Sequence, residues 1–389
     1  MDRCRLSTII VLGTAQTLAW GSTYYLPAVL ADEMAHDIGL SIELYFGTFS
    51  AALVISALIG PKVGRIIDRA GGNGVLSAAN VLFAAALVLL SQSHSFLPFA
   101  AAWVLMGTGM GLGLYDSAFA ALGRLYGRDA RGAITGITLL AGFASTIGWP
   151  LTAWGAAEIG WRETCLAWAA AHILIGLPCN WLFLPRPKDL AATLKAADEP
   201  VPLDRTMVLL AIAFSAAWIV TAGMAAHFPR IMEAAGATPT QAIAAGALIG
   251  PAQVAARIFE ASLLSRFHPL VSGRLSMTTH PVGAAVILTA GGGIAASAFA
   301  VLHGMGNGII TIARGTVPLA LYGPRNYGYR LGLLGAPSRF LSAGAPFVFA
   351  LLIDRLGAAV LFVSSALCII AFVSLCLIRQ PVPAEAHAD

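Results

Sequence analysis

The sequence predicts an all-α membrane protein with twelve transmembrane helices, arranged as two six-helix bundles that repeat in parallel. Of the 389 residues, 58% are hydrophobic and only 11% are charged, whereas soluble domains are about 45–50% apolar and about 25% charged. The apolar residues form long runs separated by short polar loops. In addition, glycine, proline and tyrosine positions of the first half recur at a constant offset in the second half.

Twelve apolar runs are long enough to cross a membrane as helices, which requires about 20 predominantly apolar residues each. Numbered in chain order, these predicted spans are 6–31, 41–61, 74–92, 95–123, 133–156, 162–184, 206–230, 240–263, 273–291, 293–322, 331–353 and 357–378. The first run is longer than the apolar core of a signal peptide, about 7–15 residues. We therefore interpret it as an uncleaved span.

One longer polar segment divides the predicted spans six and six. It reads PRPKDLAATLKAADEPVPLD over residues 185–204, and its charges and flanking prolines are typical of a linker between domains. We therefore expect a six-helix bundle over residues 1–184, a cytoplasmic linker over 185–205 and a second six-helix bundle over 206–389.

The distribution of basic residues predicts that both termini lie in the cytoplasm. Lysine and arginine are enriched in cytoplasmic loops, and with the N-terminus inside, 17 of the 23 basic residues fall in inside loops and tails. We expect a multi-pass monomer in the inner, or plasma, membrane, surrounded by lipid. The outside loops hold only Arg162, Arg230 and Arg355. The remaining three basic residues lie within predicted spans and are Arg257, Arg314 and Arg339.

The two halves of the chain repeat at an offset of 196 residues. Both repeats begin on the same side of the membrane, which implies a pseudo-twofold axis along the membrane normal. The offset pairs Tyr126-Gly127 with Tyr322-Gly323, Gly132 with Gly328, Gly148 with Gly344, and Pro150 with Pro346.

The loop between the second and third spans carries the most distinctive motif, GPKVGRIIDRAGG. Its glycines, among them Gly64 and Gly71, allow tight turns and close backbone approach. Asp68, which Arg69 follows, can accept hydrogen bonds from the N-terminus of a neighbouring helix, where the helix dipole favours an anion. We expect Asp68 to hold the cytoplasmic ends of the two halves together, with help from arginines such as Arg124.

The spacing Gly64-x-x-x-Asp68-Arg69-x-Gly71 resembles the signature loop of the major facilitator superfamily, which also lies between the second and third spans. Twelve spans, a central linker and a parallel repeat extend the resemblance over nearly the whole chain. The resemblance implies a transporter whose halves rock around a site in the middle of the membrane. It also implies that spans 1, 4, 7 and 10 line a central cavity, with spans 2, 5, 8 and 11 beside them.

Four charged residues lie at membrane depth, where an ionisable side chain costs about 2.5–3.5 kcal/mol and needs a partner, water or a function. Asp116 lies in span 4, Arg257 in span 8, Arg314 in span 10 and Arg339 in span 11. An ion pair between Asp116 and Arg314 would be a purely structural explanation, and Glu260 could satisfy Arg257. Positive charge is left over in either case, and guanidinium groups bind carboxylates with two parallel hydrogen bonds.

Polar and aromatic side chains recur at helical spacing on the same spans. A helix with one polar stripe is expected to turn that stripe towards water or a ligand. Beside the three arginines, we expect the substrate site to contain Gln16, Trp20 and Tyr24 of span 1, Trp218 of span 7, Gln253 of span 8, and Asn307 and Thr311 of span 10.

These residues predict a secondary transporter for a small organic anion, with Asp116 as the candidate proton carrier. The arginines in spans 8 and 11 are placed similarly to those of monocarboxylate and oxalate porters of the superfamily. Two alternatives stay open: proton-coupled efflux of lipophilic cations or drugs, and a non-transporting membrane receptor or scaffold. The sequence has no nucleotide-binding loop of the G-x-x-x-x-G-K-[ST] type and no pattern of catalytic or metal-binding residues. We therefore expect no enzyme activity, no cofactor and no nucleic-acid partner.

Overall fold

The computed structural model describes residues 3–185 and 201–379. Nearly all of these residues are helical, and no strand occurs within the two ranges. Most of the predicted linker lies outside the described residues, as does the segment 380–389.

The helices form twelve spans in the predicted order. The first six contain Arg3–Ser22; Ile42–Ala70; Asn73–Ser91; Phe96–Gly113 with Tyr115–Tyr126; Arg131–Ala141 with Ala144–Ile159; and Trp161–Ala171 with the π-helical turns His172–Gly176 and Cys179–Phe183. A further helix, Pro27–Ile38, follows span 1. The last six contain Arg205–Ala234; Pro239–Ala247 with Ile249–Ser262; Pro269–Ala290; Gly292–Tyr322; Tyr327–Leu356; and Val360–Cys376. Short 3-10 turns cover Gly127–Ala130, Leu264–Arg266 and Gly357–Ala359.

Length and apolar composition qualify 8 helical stretches as membrane spans. Two of these stretches, Phe96–Ile159 and Tyr327–Cys376, each contain two consecutive spans. Spans 1 and 9 complete the twelve, so the predicted all-α fold with twelve spans is confirmed.

Four spans that the sequence predicts as single helices are interrupted. The first predicted span, 6–31, is interrupted between Ser22 and Pro27. Span 4 changes direction at Leu114, whose backbone is extended (φ −84°, ψ −173°). Span 5 is interrupted at Gly142 and Phe143, and span 8 at Leu248. In span 4, the preceding run of glycines both weakens the helix and allows close packing. A Cβ on Gly113, for example, would lie 2.7 Å from the Cβ of Ala79 in span 3.

Each six-helix bundle contains a buried histidine that links three of its helices. In the first bundle, His172 of span 6 hydrogen-bonds Asn80 of span 3 at 2.9 Å and Ser22 of span 1 at 2.8 Å. In the second bundle, His280 of span 9 hydrogen-bonds His303 of span 10 at 3.0 Å and Ser364 of span 12 at 2.8 Å. The polar groups of these histidines are thus satisfied by neighbouring helices.

Both ends of the described chain lie at the same face of the molecule, because the chain crosses it twelve times. We call this the terminal face. At this face span 2 packs so tightly against span 11 that a Cβ on Gly332 would lie 2.5 Å from the carbonyl oxygen of Gly60. A Cβ on Gly64 would likewise collide with the carbonyl oxygen of Gly328. Small residues on both helices therefore hold the two halves in close contact at the terminal face.

Candidate functional site

The interruption of span 4 places a carboxylate at a helix N-terminus in the middle of the protein. The helix ends at Gly113 and a new helix, Tyr115–Tyr126, begins after Leu114. The buried Gln16 side chain of span 1 donates to the carbonyl oxygen freed at Gly113, at 2.6 Å. Asp116 lies in the first turn of the new helix, where free N–H groups and the helix dipole favour an anion.

Two arginines of the second bundle bind the carboxylate of Asp116 through one oxygen. The Nη2 of Arg314 donates to Oδ2 at 2.8 Å, and the Nη2 of Arg339 donates to the same atom. The Nη1 of Arg339 also donates to the carbonyl oxygen of Ser56 in span 2, at 3.3 Å. The other carboxylate oxygen, Oδ1, is buried and has no hydrogen-bond partner among the described residues. The cluster therefore joins the two bundles and carries one surplus positive charge.

Gly335 makes room for this cluster on span 11. A Cβ at this position would lie 2.6 Å from Oδ2 of Asp116 and 2.9 Å from Nη2 of Arg314. The site predicted from the sequence did not include this residue. The sequence indicates a role for Gly335 only through its position one helical turn before Arg339.

A cavity with an empty volume of about 470 Å³, part of it open to solvent, adjoins the cluster. One wall of the cavity is aromatic. The centroid of the Trp20 ring lies 5.2 Å from that of Tyr24 and 4.9 Å from that of Tyr115. The cavity lies between spans 1, 2, 4, 7, 10 and 11 and is lined by Trp20, Tyr24, Leu53, Ser56, Met110, Leu114, Tyr115, Asp116, Trp218, Arg314, Arg339 and Ser342. We call this the main compartment.

A smaller space, of about 260 Å³ including volume open to solvent, lies between spans 7 and 10, next to the main compartment. It shares Trp218 and Arg314 with the main compartment, and the guanidinium carbon of Arg314 lies 5.2 Å from the centre of the Trp218 ring. We call this space the side arm. It is lined by Phe214, Ala217, Trp218, Thr221, Asn307, Ile310, Thr311 and Arg314.

The structure brings most of the predicted site residues together. Around the main compartment it places Trp20, Tyr24, Asp116, Trp218, Arg314 and Arg339, and around the side arm it places Asn307 and Thr311. Two of the predicted polar residues lie outside both compartments. Gln16 supports the interruption of span 4, and Gln253 lies where the backbone of span 8 touches Gly308 of span 10.

Arg257 does not line either compartment. Its guanidinium is buried, and its Nη1 donates to the carbonyl oxygen of Thr138 in span 5, at 2.8 Å. Glu260 pairs with Arg131 rather than with Arg257, at 2.8 Å, and also accepts from Thr135 at 3.3 Å. Arg257 and Glu260 therefore both join span 8 to the terminal half of span 5.

Asp68 lies at the terminal face, where the two halves touch. Its Oδ1 accepts from the backbone N–H of Gly328 and its Oδ2 from that of Tyr329, both at 2.8 Å. These N–H groups belong to the first turn of span 11, so the carboxylate of one half caps a helix of the other half. The charges of Arg124 and Arg65 act on the same carboxylate. Gly71, with φ of +85°, ends the helix of span 2.

The contacts between the halves show which side of the cavity is closed. Hydrogen bonds made by Asp68, Arg131 and Arg257 join the halves between the terminal face and the middle of the protein. The cavity residues of spans 1, 2 and 11 lie further from the terminal face than these contacts. On the opposite side, Ser50 of span 2 donates to the carbonyl oxygen of Ala343 in span 11 at 3.5 Å. The terminal side is therefore the more tightly joined side, and we call it the closed side.

Comparisons with known proteins agree with this architecture. A model of the Major Facilitator Superfamily matches residues 12–317. The crystal structure of the human organic anion transporter MFSD10 (TETRAN) is similar with a TM-score of 0.72 and 18% identity, covering 96% of this chain and 100% of that chain. The proton:xylose symporter XylE, bound to 6-bromo-6-deoxy-D-glucose, is similar with a TM-score of 0.69 and 10% identity, covering 95% and 94%. No curated protein sequence matches the chain closely enough to count as a relative.

The Asp116 cluster predicts a large effect on stability. Asp116→Asn would leave the buried Arg314 and the partly buried Arg339 without a carboxylate, and removing one partner of a buried pair costs about 3–5 kcal/mol. We expect the purified variant to unfold at a clearly lower temperature than the wild type. Asp354→Asn is the matched control, because Asp354 pairs with Arg230 at an exposed position, where ion pairs contribute little. Equal unfolding temperatures for the two variants would show that the Asp116 cluster does not stabilise the fold.

Proposed function

The chain belongs to the major facilitator superfamily of transporters, and we propose that it moves a small organic anion across the membrane by alternating access. The superfamily's two bundles rock around a central site, so that this site faces one side of the membrane at a time. We assign that site to the main compartment and the side arm.

The observation that carries the proposal is the surplus positive charge of the Asp116 cluster. One carboxylate serves two arginines that both line the main compartment. Arg314 makes a single hydrogen bond within the described chain, to Asp116, although a guanidinium has five N–H donors. An anionic ligand would neutralise the remaining charge and occupy the unused donors. A carboxylate suits both tasks because its two oxygens match the fork of a guanidinium.

The walls of the main compartment favour a ligand with an apolar body. Trp20, Tyr24, Tyr115 and Trp218 supply aromatic surface beside the charged cluster, and such surfaces bind flat or apolar groups. The similar human structure is that of an organic anion transporter. At 18% identity this likeness concerns the fold alone, so the surplus charge remains the basis of the proposal.

We further propose that the terminal face lies in the cytoplasm, in line with the excess of basic residues in its loops. In that orientation the closed side of the cavity is the cytoplasmic side, and the structure corresponds to an outward-facing state. Transport would then require the contacts of Asp68, Arg131 and Arg257 to open.

The first prediction of this proposal concerns affinity. Arg314→Ala and Arg339→Ala should each raise the dissociation constant of a carboxylate ligand roughly ten- to a hundredfold, because hydrogen bonds to charged groups contribute about 1.5–3 kcal/mol. The Lys variants should raise the dissociation constant less, since lysine keeps the positive charge but lacks the two parallel N–H donors of arginine. The measurement is calorimetric titration of purified protein with a series of small carboxylates.

Arg274→Lys is the matched control for these titrations, because Arg274 is a partly buried arginine of the same bundle. It bonds the backbone of span 12 at Leu375 and lies outside the lining of both compartments. We expect it to leave the dissociation constant within about twofold. If the protein binds lipophilic cations but no carboxylate, and the Arg314 and Arg339 variants bind those cations unchanged, drug efflux replaces organic-anion transport as the function.

We also propose that Asp116 carries the proton in coupled transport. Protonation of Asp116 would free both arginines for the substrate, because both bind the same carboxylate oxygen. Asp116→Asn should therefore abolish accumulation of substrate driven by a pH gradient in proteoliposomes, while exchange of substrate for substrate continues. Accumulation against a gradient by this variant would assign proton coupling to another group.

The last prediction of this proposal concerns the terminal face. Asp68→Asn removes the negative charge and one of the two acceptor atoms that cap span 11, which should shift the protein towards its cytoplasm-open state. We expect a lower initial rate of transport at normal expression. Asp354→Asn, a change in an exposed pair, should keep the wild-type rate. A wild-type rate in Asp68→Asn would refute the role assigned to this residue.

A further inference from the structure

The side arm differs from the main compartment in its hydrogen-bonding groups. Arg314 lines both spaces. Beyond it, the main compartment presents the charged groups of Asp116 and Arg339, whereas the side arm presents two hydroxyls and an amide. These belong to Thr221 of span 7 and to Asn307 and Thr311 of span 10. Its other walls include Phe214 and Ile310. A neutral polar group on the ligand would fit this combination, because an uncharged amide and hydroxyls provide directional hydrogen bonds without charge.

The hydrogen bonds already present leave the amide of Asn307 with unused groups. The hydroxyl of Thr221 lies 3.0 Å from the carbonyl oxygen of Ala217 and 3.1 Å from Oδ1 of Asn307. One hydroxyl has a single proton, so it can donate to only one of these oxygens. Thr311 uses its proton on the backbone carbonyl of Asn307, at 2.8 Å. The amide therefore engages Thr221 through one end and keeps its other end available.

A ligand hydroxyl satisfies this amide in either orientation. If the oxygen of the amide accepts from Thr221, its NH₂ group is available and needs an acceptor. If the NH₂ group instead donates to Thr221, the oxygen is available and needs a donor. A hydroxyl both donates and accepts, so it pairs with whichever end is presented, and the Thr311 hydroxyl of the same wall can accept its proton.

The spacing along span 10 relates the side arm to the charged cluster. Asn307 lies seven residues before Arg314, a rise of about 10 Å. Long side chains on a helix lean towards its N-terminus, which brings the guanidinium of Arg314 closer to Asn307 than the rise alone. The ring of Trp218 and the side chain of Ile310 line the same space as Asn307 and Arg314. A rigid apolar body of one ring, with polar groups at both ends, spans this distance.

Building on the proposed function, we infer that the transported anion carries a hydroxyl group remote from its carboxylate, and that Asn307 selects it. The carboxylate binds Arg314 and Arg339, the ring packs on Trp218, and the hydroxyl enters the side arm. The substrate class is therefore hydroxylated aryl carboxylates. Asn307 acts as a specificity-determining residue, and Thr221 positions its amide.

The test compares ligands that differ by one hydroxyl group. Purified protein is titrated by calorimetry with two pairs of different length: benzoate and 4-hydroxybenzoate, and 3-phenylpropanoate and 3-(4-hydroxyphenyl)propanoate. In at least one pair the hydroxylated member should bind about three- to tenfold more tightly, as expected for one net hydrogen bond. Asn307→Leu should abolish this preference while the parent carboxylate keeps its dissociation constant within about twofold. Thr221→Val should reduce the preference in part.

The controls separate this inference from the proposed function. Arg314→Ala should weaken both members of a pair by the same factor, because it removes a contact to their shared carboxylate. Thr289→Val changes an exposed threonine that bonds only its own helix, and it should leave the preference intact. If carboxylates bind and the hydroxyl makes no difference in either pair, this inference is overturned and the proposed function stands. If no carboxylate binds, both are overturned.

Discussion

The protein depends on one buried ionic interaction: the carboxylate of Asp116, in the first bundle, holds two arginines of the second. Such an interaction is costly to assemble, because each charge loses its hydration. The structure offsets part of this cost with the N-terminus of the helix that carries Asp116 and with the backbone oxygen of Ser56, which accepts from Arg339. One positive charge is still left over. The same arrangement that joins the halves is therefore also the basis on which we propose a site for an anion.

The sequence predicts the fold well because lipid imposes simple rules on it. Apolar runs of sufficient length specify the spans and their order, and the twelve spans are found in that order. The sequence also indicates Asp116, Arg314 and Arg339, since a charge in a long apolar run is conspicuous. It does not indicate that one oxygen serves both arginines. That arrangement follows from Gly335, whose missing side chain leaves the space, and from the interruption at Leu114.

The position of Arg257 illustrates the limit of helical periodicity. Periodicity assigns a residue to a face of its helix, but the neighbour of that face depends on packing between helices. Glu260 is three residues from Arg257, a spacing at which side chains on one helix can meet, yet it pairs with Arg131 of the other bundle. Arg257 in turn reaches the carbonyl of Thr138, next to the interruption of span 5. Helical spacing within span 8 cannot predict these partners, because both lie on span 5 of the other bundle.

Span 11 connects the site with the closed face. Within about three turns of one helix, its N–H groups at Gly328 and Tyr329 bind Asp68, Gly332 packs on Gly60, and Arg339 binds Asp116. A ligand that draws Arg339 away from Asp116 acts on the helix whose first turn Asp68 caps. Coupling between two sites requires an element whose equilibrium both sites bias, and it acts equally in both directions. Span 11 contacts both places along one helix, and we therefore propose it as the element that links release of its cap to loading of the site.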